Sequence, residues 1–367
     1  MTKLLAGLDI GGTKCAVSLG LLREEGVSPL ARVSFPTPRT PDAALAQLGD
    51  TLARLLAEHA ENEAGLAASD AGGSAGNTAG KAADGAGESA GGAARLAAIG
   101  ISCGGPLDST RGLVLSPPNL PGWDGIDAVG PFRSRFGVPV ALQNDANACA
   151  LAEWKWGAGA GSRHMVFLTF GTGMGAGLIL NGRLYAGAND MAGEIGHMRM
   201  EPDGPVGYGK AGSFEGFCSG GGIAQLAATM AGKRLRELAA AGGDAASEAP
   251  AFCRTADELP HVTAQKVGEA AQAGDALALE VFRVVGEQLG RGLAVLVDVL
   301  NPERIVIGSI YGRQQQLLEP VAMAALRRES LAIALDACRI LPAGLGEQVG
   351  DYAALSVALL ALEANEE

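Results

Sequence analysis

Leu4-Leu5-Ala6-Gly7-Leu8-Asp9-Ile10-Gly11-Gly12-Thr13-Lys14-Cys15-Ala16-Val17 lies near the start of the sequence and carries its first structural signal. Residues 4–10 form an apolar run that reads as a buried strand. Gly11-Gly12-Thr13 is a turn, and residues 15–22 read as a second strand. Residues 27–35 look like a third, so the chain is expected to begin as an antiparallel meander. The glycines in the first turn let backbone N–H groups come close to an anion. Asp9, at the end of its strand, could hold a divalent cation through water. An ordinary tight hairpin has the same pattern, so the stretch alone leaves both readings open.

Working outward, residues 43–60 have helical periodicity, with Leu45, Leu48, Leu52, Leu55 and Leu56 on one face. Residues 62–94 are mostly Ala, Gly, Ser and Asp with Leu66 as the single large aliphatic. Such a segment buries too little to offset its ordering entropy, and it is expected to be a flexible surface insertion. Residues 96–102 read as a strand ending in Cys103-Gly104-Gly105-Pro106. Residues 138–143 read as another strand, followed by a helix over 146–156. Strands over 165–170 and 176–180 flank Gly171-Thr172-Gly173-Met174-Gly175-Ala176-Gly177, and Asn181-Gly182 signals a hairpin. A polar stretch over 242–258 reads as loop. Residues 275–300 predict a long helix with Phe282, Val285, Leu289, Leu293, Leu296 and Leu300 on one face. Asn301-Pro302 stops it before a strand over 305–308, and residues 352–363 predict a last helix. Hairpins followed by helices, twice over, predict a two-lobed α/β protein.

The 367 residues carry a formal charge of −12, which opposes binding to nucleic acid or anionic lipid. It does not oppose nucleotide binding, because backbone N–H groups and a metal can hold phosphates. With 48% apolar residues the chain can bury a sizeable core. Six cysteines stand singly, none in a C-x-x-C pair, as expected of buried reduced thiols in a cytoplasmic protein. No signal peptide and no apolar run long enough to span a bilayer is read from the sequence.

The second Gly-rich loop is followed by a strand, which distinguishes it from a dinucleotide-binding turn, and it lacks the Gly-Lys-Ser/Thr ending of a P-loop. Two such loops, each between strands in separate lobes, suggest phosphates gripped in a cleft. Gln143-Asn144-Asp145-Ala146-Asn147 lies where a strand meets a helix. There Asp145 could take a proton from an attacking hydroxyl or simply cap the helix. Glu194-Ile195-Gly196-His197, and Glu215 after more Gly-rich sequence, offer partners suited to sugar hydroxyls, or are polar loop residues.

Taken together these segments resemble the ROK family of sugar kinases and sugar-responsive repressors, from Leu4 to about Leu362. Asp9 to Lys14 is similar to that family's first phosphate motif and Gly171 to Gly177 to its second. Pro118-Asn119-Leu120-Pro121-Gly122-Trp123 is similar to its sugar-side segment, Asn144-Asp145-Ala146-Asn147 to its catalytic segment, and Glu194 to His197 to its Glu-x-Gly-His signature. The resemblance implies an actin/hexokinase-like (ribonuclease H-like) fold with the active site between the lobes. The expected lobes are 1–118 with 350–367, and 119–349. ATP-dependent phosphorylation of a hexose or N-acylhexosamine is implied, O6 by analogy, with glucose the leading candidate. Asp145 would be the general base. Gly105, Asn119, Asn144, Glu194, His197 and Glu215 would line the sugar. Gly11, Gly12, Thr13 and Lys14, with Gly171, Thr172, Gly173, Gly175 and Gly177, would hold ATP. Gly308 would lie at the adenosine, and Mg²⁺ near Asp9. A homodimer or homotetramer is implied as well.

Two departures from the family pattern matter. Val206, Tyr208 and Ser213 stand where many members carry the cysteines of a structural zinc site, so no zinc is expected and His197 is left to the sugar. Gly308-Ser309-Ile310-Tyr311 has fewer glycines than relatives usually show around the adenosine, and Ile310 or Tyr311 could crowd or stack on adenine. Two alternatives to a kinase stand beside it. One is a sugar-responsive repressor, whose winged helix would precede the first phosphate motif, a place this sequence reaches by Asp9. The other is a non-catalytic sugar-binding or regulatory protein.

Overall fold

The computed structural model describes residues 3–72, 94–241 and 248–366. The chain forms two compact units, Met1–Ala148 with Gln348–Glu367, and Cys149–Glu347.

In the first unit, β1 (Lys3–Ile10), β2 (Lys14–Arg23) and β3 (Gly26–Pro36) make the expected antiparallel meander. The helix Pro41–Gly72 leads to β4 (Arg95–Cys103). Three short strands, β5 (Leu107–Asp108), β6 (Leu113–Leu115) and β7 (Asp124–Asp127), form a small sheet before β8 (Val140–Asn144). The main sheet has the order β3-β2-β1-β4-β8, with β1, β4 and β8 parallel. Leu45, Leu48, Leu52 and Leu55 of the first helix bury against Leu8, Val17 and Leu19, each fully buried leucine worth roughly 1.5–3 kcal/mol. The closing helix Val349–Glu366 packs on β1 and β4. Its approach is so close that a Cβ on Gly100 would lie 2.2 Å from the Ala354 carbonyl oxygen, and the helix presents alanines there.

The second unit repeats the plan. β9 (Met165–Leu168), β10 (Ala176–Leu180) and β11 (Arg183–Leu184) are antiparallel neighbours. β12 (Val206–Gly207) pairs with β13 (Lys210–Ala211), and β14 (Arg304–Ile307) and β15 (Arg339–Pro342) join β9 in parallel. The order β11-β10-β9-β14-β15 has the same two antiparallel and two parallel pairings as the first sheet. The helix Ala276–Leu300 buries Phe282, Val285, Leu289, Leu293 and Leu296 in this unit's core. Asp275 caps it, accepting from Ala278 N–H, and Asn301 ends it in the left-handed conformation.

Three expectations need correction here. The boundary expected at 118/119 falls instead at 148/149, because β8 pairs with β4 from Ile99↔Val140 to Cys103↔Asn144 and carries residues 119–148 into the first unit. The insertion expected to start at 62 begins as helix, which continues to Gly72 through the helix formers Glu61, Glu63, Ala64, Leu66 and Ala67. Its residues 73–93 lie outside the described residues. Of the loop expected over 242–258, residues 242–247 also lie outside, and a 3₁₀ helix starts at Ala256. Several helices among the described residues, including Gly130–Phe136, Gly220–Ala241, Ala264–Gln272 and Gln315–Glu329, were also not read from the sequence.

Candidate active site

The first glycine-rich loop links β1 to β2, and the second links β9 to β10, the same place in each sheet. Both are tied down by a threonine. Thr37 Oγ1 donates to the Gly11 carbonyl at 2.6 Å and Thr37 N–H to the Thr13 carbonyl at 3.0 Å. Thr169 Oγ1 accepts from Gly175 N–H at 2.8 Å. With the loops so held, the N–H groups of Gly12, Thr13, Thr172 and Gly173 make no hydrogen bond to protein among the described residues. Backbone donors left in this way suit an anion such as a phosphate.

In the first unit the expected residues come together. Gly12 lies against Asn119, whose carbonyl oxygen would be 2.5 Å from an added Cβ. Gly104 faces the Asn119 side-chain amide, and Gly105 faces Asn144 Nδ2 at 3.2 Å by the same measure. Leu120 and Trp123 are buried and anchor their segment, which leaves Asn119 exposed between β6 and β7.

Asp145 opens the helix Asp145–Trp156 but leaves most of the capping to its neighbour. Asn144 Oδ1 accepts from Ala146 N–H at 2.8 Å and from Asn147 N–H at 3.4 Å. Asp145 Oδ1 takes only the Ala146 N–H, at 2.8 Å. The Asp145 carboxylate reaches solvent from a dense surround, and that desolvation raises it above the ordinary carboxylate range, against the Ala146 hydrogen bond. Asp9 is raised to about 6, chiefly by burial, with Arg32 lowering it and Asp145 raising it further. Arg32 Nη2 stands 3.9 Å from Asp9 Oδ2 and also pairs with Asp351. A carboxylate raised by burial and by a second carboxylate nearby is a donor that fits a divalent cation.

In the second unit Glu194 precedes the 3₁₀ turn Ile195–His197, and His197 N–H donates to the Glu194 carbonyl at 3.1 Å. Glu215, in the turn Phe214–Phe217, reaches the second glycine-rich loop, where its Oε2 accepts from Met174 N–H at 3.0 Å. Gly196 fits against the Met174 carbonyl, where a Cβ would come within 2.2 Å. Lys14 starts β2 and is exposed, and Gly177 lies in β10. Gly308 follows β14 and donates to the Leu168 carbonyl at 2.9 Å.

The three positions without cysteine each have other work. Val206 exchanges two hydrogen bonds with the Gln225 side chain, Tyr208 sets its ring edge-on to His197, and Ser213 Oγ caps the turn at Phe214. Cys218 is fully buried. Among the described residues no group of three or more His, Cys, Asp or Glu is placed to hold a metal ion.

Beside the second loop lie two adjoining hollows, of about 480 Å³ and about 420 Å³, which share Ala264, Gln265, Ile310 and Arg313. The larger also takes in Gly171, Thr172 and Ser309, with Gly220 and Gly221 at the start of a 22-residue helix. Gly220 N–H donates to the Gly171 carbonyl at 2.7 Å. Ile310 lines both hollows, whereas Tyr311 does not: its side chain is buried in the core, which pushes its hydroxyl up. The expectation that Tyr311 could meet adenine is corrected accordingly. Arg32, Thr37 and Thr169 were not singled out as site residues in the sequence, since a lone Arg on a strand or a lone Thr just after one carries no pattern.

Two sheets of matching order, each with a glycine-rich loop in its leading hairpin, define the hexokinase-like class of two-lobed α/β proteins. Within that class this chain belongs to the ROK family, whose family model matches residues 83–360. It is 28% identical over 322 residues to a glucokinase of Streptomyces coelicolor, covering 87% of this chain and 86% of that one. It is also similar to the crystal structure of a ROK family glucokinase from Streptomyces griseus in complex with glucose and AMPPNP. That match has a TM-score of 0.66 and 27% identity, over 98% of this chain and 99% of the other. The DNA-binding transcriptional repressor Mlc of Escherichia coli is 29% identical over 239 residues, 65% of this chain and 54% of the repressor. Among the described residues no helix is long and apolar enough to cross a membrane.

Proposed function

We propose that this chain is an ATP-dependent sugar kinase that phosphorylates a hydroxyl of a hexose or N-acylated hexosamine, with glucose the first candidate and O6 the position expected by family analogy. The observation that carries the reading is the division of labour at the start of the helix Asp145–Trp156. Asn144 caps it, so Asp145 keeps a carboxylate oxygen that accepts from no other residue among the described residues. Its raised carboxyl is also a better proton acceptor than an ordinary aspartate.

In the proposed reaction the sugar is held by Gly105, Asn119 and Asn144, and by Glu194, His197 and Glu215. Asp145 accepts the proton as the sugar oxygen bonds to the γ-phosphorus and the bond from that phosphorus to the β,γ-bridging oxygen breaks, giving ADP. Residues 11–14 and 171–177 present backbone N–H groups to the ATP phosphates, and Gly308 and Ile310 border the adenosine. Mg²⁺ bound with the nucleotide supplies charge neutralisation at the transferring group, and Asp9 is the residue that would hold it, through water. Six free cysteines are consistent with a cytoplasmic setting.

The test is an ADP-release assay with ATP, Mg²⁺ and a panel of hexoses and N-acetylhexosamines. Turnover of one sugar, lost in Asp145→Asn, is the expected result. A panel without turnover, on a chain that still binds sugar, would leave a non-catalytic sugar-binding protein.

A further inference from the structure

The segment between His197 and Glu215 contains a residue in the wrong conformation for its type. β12 and β13 are joined by a two-residue turn, Tyr208-Gly209, across the pair Gly207↔Lys210. Both turn residues have positive φ, 43° and 76°. Two-residue hairpin turns of this hand favour Asn or Gly at the first place, and a bulky side chain there is strained. Core burial does not explain it, because Tyr208 is 66% exposed. Strain kept at one position points to a contact the residue is kept for.

That contact is His197. The Tyr208 ring meets the imidazole edge-on, with centroids 5.1 Å apart and planes at 84°. From the next strand of the same hairpin, Lys210 Nζ donates to the His197 carbonyl at 2.6 Å. One hairpin therefore touches His197 at both ring and backbone. The hairpin is itself fastened. Gln225 holds Val206 through two 3.0 Å hydrogen bonds, and Gly212 N–H donates to the Pro205 carbonyl at 3.0 Å.

We propose that Tyr208 and Lys210 are positioning residues that fix the direction of the His197 imidazole for recognition of the sugar. The inference rests on the reading of His197 as a sugar ligand. A free imidazole turns about two side-chain bonds, and a directional partner for hydroxyls gains from having that freedom removed beforehand. The ring blocks one side of the imidazole, and the lysine holds the backbone from which the imidazole projects.

The experiment measures sugar affinity by calorimetry, KM for sugar and for ATP, and melting temperature, on the full chain. The variants are Tyr208→Asn, Lys210→Met, Lys210→Arg and His197→Ala, tested with the hexose and N-acetylhexosamine panel. Tyr208→Asn suits the turn, so it should melt at or above the parent while binding sugar about 3- to 10-fold more weakly. Lys210→Met should weaken sugar about tenfold, and Lys210→Arg should recover most of the loss. KM for ATP should stay within twofold in all three. In a His197→Ala background Tyr208→Asn and Lys210→Met should become silent, an outcome that a purely structural hairpin would not give. Unchanged sugar affinity in Tyr208→Asn and Lys210→Met, while His197→Ala loses it, overturns the proposal and leaves His197 as a sugar ligand. Unchanged affinity in His197→Ala, or a parent chain that binds no member of the panel, overturns both.

Discussion

Glu215 Oε2 accepts the Met174 N–H at 3.0 Å, so a single carboxylate belongs to the stretch after His197 and to the second glycine-rich loop. A Cβ on Gly173 would come within 2.9 Å of that same oxygen, so the loop backbone packs directly on it. A residue read as a sugar partner thereby also sets the shape of a loop read as a phosphate cradle.

Glu215→Ala should therefore raise KM for sugar and for ATP together, by about tenfold each, the scale of a lost hydrogen bond to a charged group. Glu215→Gln, which can still accept from Met174 N–H, should spare the ATP term and weaken only sugar. Initial-rate kinetics with each substrate varied in turn separate the two. A change in sugar KM alone in the alanine variant would mean that the loop holds its shape without Glu215.

The pair Asn144 and Asp145 allows capping to be separated from chemistry. Asp145→Asn should lower kcat by about 10²–10⁴ with sugar affinity and melting temperature close to the parent values. Asn144→Ala should instead cost about 1 kcal/mol of stability by removing the cap. Asn144→Asp keeps an acceptor for Ala146 N–H and should hold the melting temperature, while losing the Nδ2 donor beside Gly105 and so weakening sugar. Thermal melts and calorimetry on the three variants check this, and an active Asp145→Asn would remove the base assignment.

Much of the frame was legible because it rests on local pattern. The apolar run ending in Asp9, the turn glycines and the leucine spacing of the helices Pro41–Gly72 and Ala276–Leu300 each report burial with a fixed period. Gly220–Ala241 was missed because it opens on three glycines and mixes small residues with charge. The boundary at 148/149 was missed because pairing of β8 with β4 is a contact between segments about forty residues apart, which no local pattern records. Glu153 has the look of a solvated helix residue but is fully buried, accepting from Ala158, Gly344 and Leu345 N–H groups. At the site, the motif residues could be named in sequence, but the residues that hold them could not. Thr37, Thr169, Lys210 and Gln225 act through one or two hydrogen bonds to backbone that only the fold brings near.

The raised carboxyls make stability and activity respond to pH in opposite directions. Asp9 titrates near 6 in the folded chain against 3.8 ordinarily, so the folded state binds more protons between those values. Its burial thus costs stability that is fully felt above about pH 6 and disappears below about pH 4. Melts in chelator should show Asp9→Asn more stable than the parent at pH 7.5 and level with it at pH 4. Activity should run the other way. Asp145 must be ionised to take a proton, and since its carboxyl is raised, the acid limb of kcat/KM should lie above the usual carboxylate range. A limb at about 4 would mean that the desolvation of Asp145 is relieved when substrate binds.

Ser309 should prove a costly residue. It sits between β14 and the turn Ile310–Arg313 with φ 47° and ψ −103°, a region that L residues other than glycine rarely occupy, and its side chain makes no capping hydrogen bond. Gly308 N–H and Ile310 N–H are fixed to the Leu168 and Phe170 carbonyls at 2.9 and 2.8 Å, so the backbone on either side cannot move to relieve it. Ser309→Gly should then stabilise by about 1–2 kcal/mol, or about 3–6 °C in melting temperature for a unit of this size. Because Ser309 also lines the hollow of about 480 Å³ beside Gly171 and Thr172, KM for ATP should change in the same variant while KM for sugar does not. Differential scanning calorimetry and nucleotide kinetics decide between strain that the fold merely tolerates and strain retained for the nucleotide. A glycine variant that melts higher with unaltered ATP kinetics supports the first, and a higher melting temperature with weaker ATP binding supports the second. A lower melting temperature would contradict the strain itself.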